Sequence, residues 1–181
     1  QTALEKISIE NLLFLNPEEC QRIRTTLFDL RPYWQARTPI VPFYTLGAAS
    51  YLDADGRRKE GHNEDYYISR AAHFNPILLE HFGWLYERLG AFLADRLGAP
   101  TTFRKNGGLP GFNMMLAHRA FTKIAPSIHF DWQYRNLDWS WASDAKPRTM
   151  SFTFAISLPR EGSGINIWDL AEKEIFAFSD D

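Results

Sequence analysis

A single change of rhythm constrains this chain more than any other feature. Between Ile77 and Leu97, the apolar side chains Leu78, Phe82, Leu85, Leu89, Phe92 and Leu93 recur at helical spacing. From Phe103 onward the apolar positions recur at every second residue. Such a chain buries a helix stripe against the inner face of a sheet. Pro76 lies near the start of this helix, and Gly98 with Pro100 closes it. Gly83 and Gly90 sit on the helix, and their lack of side chains predicts a close approach to the sheet at some cost in helix propensity. In the period-two half, Phe112, Met114, Leu116 and His118 alternate with Asn113, Met115, Ala117 and Arg119. Phe152, Phe154, Ile156 and Leu158 alternate with Ser151, Thr153, Ala155 and Ser157, which reads as a half-buried strand. A further strand is expected from Gly162 to Leu170, through Ile165 and Ile167.

The first half reads as strand, helix, loop, helix. Ile7 to Leu15 is apolar enough for a short strand. Asn16-Pro17-Glu18-Glu19 supplies an N-cap, a first-turn proline and two acids at the positive end of a helix dipole. Cys20, Ile23, Leu27 and Leu30 continue as one stripe, which Pro32 ends. The stretch from Thr38 to His73 is interrupted by prolines and glycines, with Asp53-Ala54-Asp55-Gly56-Arg57 as a turn signal. The expected class is therefore α+β in a single domain over 1–181. Residues 1–102 form a helical support, and 103–181 begin a β core that curls into a barrel or sandwich.

Composition narrows the partners. The 181 residues carry a formal net charge of -2, with no basic stripe for nucleic acid and no apolar run of transmembrane length. Cys20 is the single cysteine, so an intrachain disulfide is impossible and a reducing, cytoplasmic setting is expected. Aromatic residues make up 15% of the chain and crowd its second half, consistent with a filled β core or with the walls of an apolar cavity.

The chemistry-bearing stretch is Ser127-Ile128-His129-Phe130-Asp131-Trp132-Gln133-Tyr134. On an extended backbone, residues two apart project from one face, so His129 and Asp131 can present an imidazole nitrogen and a carboxylate oxygen to a common point. Mixed nitrogen and oxygen donors suit a divalent iron-type ion and fill two corners of a two-histidine, one-carboxylate facial triad. The plain alternative is a surface ion pair, or a histidine oriented by its neighbouring acid.

Around this pair the chain resembles the iron(II)- and 2-oxoglutarate-dependent oxygenases. The likeness runs from about Gly111 to Leu170. It rests on the strand and the Ala125-Pro126 bend before the pair, the β segment after it, and Leu158-Pro159 leading into Gly162-Ser163-Gly164-Ile165-Asn166-Ile167-Trp168. The resemblance implies a double-stranded β-helix (a jelly-roll or cupin-like barrel) buttressed by the N-terminal helices and cut short at the C-terminus. It implies iron(II) on His129 and Asp131, with 2-oxoglutarate and O2 as co-substrates. It also implies hydroxylation or another oxidation of an unactivated C–H in an amino acid, peptide side chain or small metabolite. Such enzymes use a second histidine downstream, yet no histidine follows His129. The expectation is that this ligand lies beyond Asp181. The alternatives are His118, His62 or His73 out of order, or a domain without a catalytic metal. Arg148, ahead of Lys146, is the candidate anchor for the co-substrate carboxylate, since a guanidinium binds it bidentately. His118 is a candidate for lining the co-substrate site. Trp132 and Tyr134, followed by Trp139 and Trp141, are candidates for a substrate wall that excludes water. Two rival readings stay open: a non-enzymatic cupin-like binding module, and a metal-dependent hydrolase or isomerase of cupin type.

Overall fold

The computed structural model describes residues 9–54, 64–122, 137 and 150–160. These form a mixed α and β structure with three helices and a three-stranded antiparallel sheet. Helix α1 spans Pro17–Asp29, strand β1 Gln35–Ala36, strand β2 Phe43–Leu46, helix α2 Ser50–Asp53, helix α3 Glu64–Leu97 and strand β3 Phe112–Met115. Short 3-10 turns occupy Arg31–Tyr33 and Arg119–Thr122. The strand order is β1-β2-β3, so two of the three strands come from the first half of the chain. The α+β class is what the change of period predicts. Among the described residues the sheet does not close into a barrel.

Helix α1 starts where local chemistry dictates. The Glu19 N–H donates to Asn16 Oδ1 at 2.9 Å, and the Asn16 N–H donates to Glu19 Oε2 at 2.9 Å. This reciprocal pair satisfies two of the N–H groups that a helix start leaves without partners. The Asn16 N–H holds the Glu19 carboxyl below the usual carboxylate range, opposed by partial loss of solvent and assisted by the Arg88 guanidinium. Arg88 also donates to the Phe14 carbonyl and lies 4.9 Å over the Phe14 ring, which clamps the segment before α1 onto α3. Residues 9–14 belong to no strand, contrary to the strand expected over Ile7–Leu15. That apolar run docks through side chains, with Phe14 stacked on Phe154 at 4.6 Å and set edge-on to Phe92 at 5.3 Å.

Helix α3 begins at Glu64, well before the expected start at Ile77, and Pro76 lies inside it. Proline at this point withholds one N–H from the ladder, but burial on both sides carries the helix through. Tyr67, Ala71, Phe74, Leu78, Phe82, Leu85 and Leu89 form one continuous buried stripe. The helix kinks at Phe82 (φ -128°, ψ 15°), next to Gly83. Phe82 is 1% exposed, and its ring meets Phe112 of β3 at 4.6 Å.

The glycines of α3 play a different part from the expected one. A Cβ on Gly83 would meet nothing within 4 Å, and one on Gly90 would meet only the Thr101 hydroxyl at 3.7 Å. Neither brings the helix to the sheet; both line an open groove of about 560 Å³ between α3 and residues 100–103. Gly83→Ala is therefore expected to stabilise the fold by roughly 0.5–1 kcal/mol through helix propensity, read as a higher denaturant midpoint with an unchanged slope. The close approach sits elsewhere, at the crossing of Gly47 (φ 107°) and Gly111. A Cβ on Gly111 would lie 2.6 Å from the Leu46 carbonyl oxygen.

The sheet has two unlike faces. Tyr44, Leu46, Phe112 and Met114 share one face by register, and Leu46, Phe112 and Met114 join the core cluster built on α1 and α3. Gln35, Thr45 and Asn113 form a row across the other face. Strand β3 ends at Met115, short of the alternation that the sequence carries on through His118 and Arg119. Residues 150–160 form no strand either. Phe154 and Ile156 keep the predicted alternation and pack against the core through side chains, without a ladder. The strand expected over Gly162–Leu170 lies outside the described residues.

Candidate functional site

The polar face of the sheet carries a buried network. Arg37 sits one residue past β1 and donates from Nε to Thr45 Oγ1 at 2.7 Å. Its two terminal nitrogens reach Asp53 Oδ1 at 2.5 Å and Oδ2 at 3.0 Å, a bidentate pair. Asp53 Oδ2 also accepts from the Ala49 N–H at 2.8 Å. Residues 55–57 of the turn expected over Asp53–Arg57 lie outside the described residues; Asp53 itself is 1% exposed, so its carboxylate closes α2 onto the sheet. Beside it the Tyr51 hydroxyl meets Asn113 Oδ1 at 3.3 Å, and loss of solvent raises the Tyr51 pKa. Gln35 bridges the Gly47 carbonyl, at 3.0 Å, to the Arg70 guanidinium of α3. Arg70 in turn lies over the Phe74 ring at 4.8 Å.

A second set of bonds bolts the loop before β3 onto α3. Asn75 donates from Nδ2 to the Gly107 carbonyl at 2.9 Å and accepts the Leu109 N–H at Oδ1 at 3.0 Å. The Tyr67 hydroxyl accepts the Gly108 N–H at 2.8 Å, and the Tyr86 hydroxyl donates to the Pro110 carbonyl at 2.7 Å. Desolvation pushes the Tyr86 pKa well above that of a free phenol, which keeps it a donor. Arg104 pairs with Glu64 at 3.1 Å. The start of β3 is thus fixed from one helix by four side chains, Glu64, Tyr67, Asn75 and Tyr86.

Of the residues singled out from sequence, His129, Asp131, Arg148, Trp132 and Tyr134 lie outside the described residues, as do His62, Lys146, Trp139 and Trp141. His118 is not on the strand. It is exposed in the turn after β3, where its Nδ1 accepts the Ala120 N–H at 3.1 Å and its carbonyl accepts the Phe121 N–H at 3.0 Å. Its ring thereby caps the 3-10 turn, a local bond that competes with strand extension. His73 is exposed on α3, edge-on to Phe74 at 4.7 Å. The structure does not bring these two histidines into a common donor set. Among the described residues no group of three His, Cys, Asp or Glu side chains could hold a metal ion.

Leu137, six positions past Asp131, packs with Ile68 against the cluster of Ala48, Ala54, Tyr67 and Ala71. Leu137 therefore sits where α2 meets the first turns of α3. Sequence reasoning missed Arg37, Tyr51, Asp53, Arg70 and Asn113 as a connected group. The period-two pattern signals the face of Asn113 but not its partners, which come from distant segments. Among the described residues no helix is long and apolar enough to cross a membrane. No family model, no curated protein and no solved structure matches this chain.

Proposed function

We propose that this chain is an iron(II)- and 2-oxoglutarate-dependent dioxygenase domain of the double-stranded β-helix type, oxidising an unactivated C–H of an amino acid, peptide side chain or small metabolite. The observation that carries this reading is the His129-Phe130-Asp131 spacing, set between an apolar, proline-bent stretch and an aromatic one. One neutral imidazole and one carboxylate are the donor types that iron(II) takes in facial triads. A small antiparallel sheet backed by α1 and α3 supports the α+β class that the reading starts from. The metal, with 2-oxoglutarate and O2, supplies the oxidising chemistry when bound. The chain's own part is binding and orientation. His129 and Asp131 hold the ion, and Arg148 forms a charge-assisted bond to the distal carboxylate of the co-substrate. His118 lines the co-substrate site, while Trp132 and Tyr134 exclude water and offer ring faces to substrate.

The test uses the full chain with iron(II), ascorbate and 2-oxoglutarate. Succinate is expected even without substrate, and His129→Ala is expected to abolish it. Absence of succinate contradicts the reading and favours a cupin-like binding module. Metal-dependent turnover indifferent to 2-oxoglutarate favours a cupin hydrolase or isomerase.

A further inference from the structure

We propose that Asn106-Gly107 is a latent self-modification site, a deamidation switch held shut by the bolts between its loop and α3. In an Asn-Gly dipeptide no side chain shields the backbone nitrogen that follows the asparagine, so that nitrogen can attack the side-chain amide. The Gly107 nitrogen would bond to Asn106 Cγ while the bond from Cγ to the amide nitrogen breaks. Ammonia leaves, taking the Gly107 amide proton, and a succinimide ring results. Water then opens the ring at one of its two carbonyls. Cleavage of the new bond gives an aspartyl residue at position 106. Cleavage of the original peptide bond gives an isoaspartyl residue whose backbone runs through Cγ. The only co-reactant is water.

Asn106 is exposed, while Gly107 is buried. The attacking nitrogen is engaged elsewhere, its N–H donating to the Arg104 carbonyl at 3.1 Å across the turn. The Arg104 side chain packs beside Gly107, with its Cβ 3.0 Å from where a Gly107 Cβ would stand. The Gly107 carbonyl is held by Asn75, the Gly108 N–H by Tyr67 and the Leu109 N–H by Asn75. Attack requires the Gly107 nitrogen to leave Arg104 and swing toward Cγ, which strains each of these bonds. The rate in the folded chain is therefore the intrinsic rate of the dipeptide scaled down by the small fraction of time the loop is open. An isoaspartyl product adds one backbone methylene, so Gly107 and Leu109 no longer match the two ends of the Asn75 amide. Modification thus holds the loop open and loosens the start of β3, where Gly111 meets Leu46.

The experiment incubates the full chain at mildly alkaline pH and follows position 106 by peptide mapping. It reads the one-unit mass gain and the isoaspartyl content. The native protein is expected to react at least roughly tenfold more slowly than the same chain in denaturant, given several bonds to break before attack. Asn75→Ala is expected to remove most of that protection in the folded state. Tyr67→Phe, which deletes a single hydroxyl, gives the same readout with a smaller acceleration should Asn75→Ala fail to fold. Equal rates in native and denatured protein would overturn the proposal. So would protection in the native chain that neither variant relieves, or a denatured chain in which position 106 does not react.

Discussion

Asp53→Ala is expected to lower stability by roughly 3–5 kcal/mol, the range for breaking a buried ion pair from one side. The change strands the Arg37 guanidinium, whose side chain is 7% exposed, without its carboxylate. It also leaves the Ala49 N–H without its acceptor. Both groups then bear desolvation with no return. The pair itself need not be a large net stabiliser, because replacing both partners by apolar residues of similar volume is often neutral or better. Arg37→Met combined with Asp53→Leu is therefore expected to recover much of what Asp53→Ala loses. Denaturant titration of the two single variants and the double variant separates the coupling from the desolvation. A loss below about 1 kcal/mol for Asp53→Ala would place this carboxylate in the class of exposed pairs.

Phe82→Ala is expected to cost about 3–5 kcal/mol, as other buried phenylalanine truncations do. Phe82 sits at the kink of α3, where its ring fills the space against Phe112 and the inner face of β3. A straightened helix could not relax into the hole, since Leu78 and Leu85 already occupy the stripe on either side at 0% and 4% exposure. Differential scanning calorimetry of Phe82→Ala beside Phe82→Leu checks the point. The leucine variant should retain more than half of the lost stability, because it restores most of the volume.

What was legible in this sequence was local. The start of α1 is written in four consecutive residues, Asn16 to Glu19, because a capping box needs nothing from elsewhere. The inward alternation of Phe112 and Met114 is likewise a property of the strand alone. Helix α3 was half legible. Its stripe already runs through Tyr67, Ala71 and Phe74, but Pro76 reads as a helix start when only propensity is weighed. Burial of both segments outweighed one missing hydrogen bond. The buried pairing of Asp53 was illegible for the opposite reason. Next to alanine, aspartate and glycine it looks like turn chemistry, while its partner Arg37 lies 16 residues away across a hairpin. The apolar runs before Asn16 and around Phe154 were read as strands because extended backbone and ladder pairing share one pattern. Here they meet each other ring to ring. The same limit applies to the metal motif. A spacing of two makes His129 and Asp131 a pair on sequence grounds, whereas a third ligand depends on distant chain.

The most direct measurement is anaerobic iron(II) binding to the full chain, by equilibrium dialysis and metal analysis. Wild type and His81→Ala, a control at a histidine of α3 outside the motif, are each predicted to retain one ion per chain. His129→Ala and Asp131→Ala are predicted to lose it, with affinity falling by more than the roughly 100-fold typical of an outer-shell partner. Retention of iron by both of these variants, or no retention by the wild type, would contradict the account.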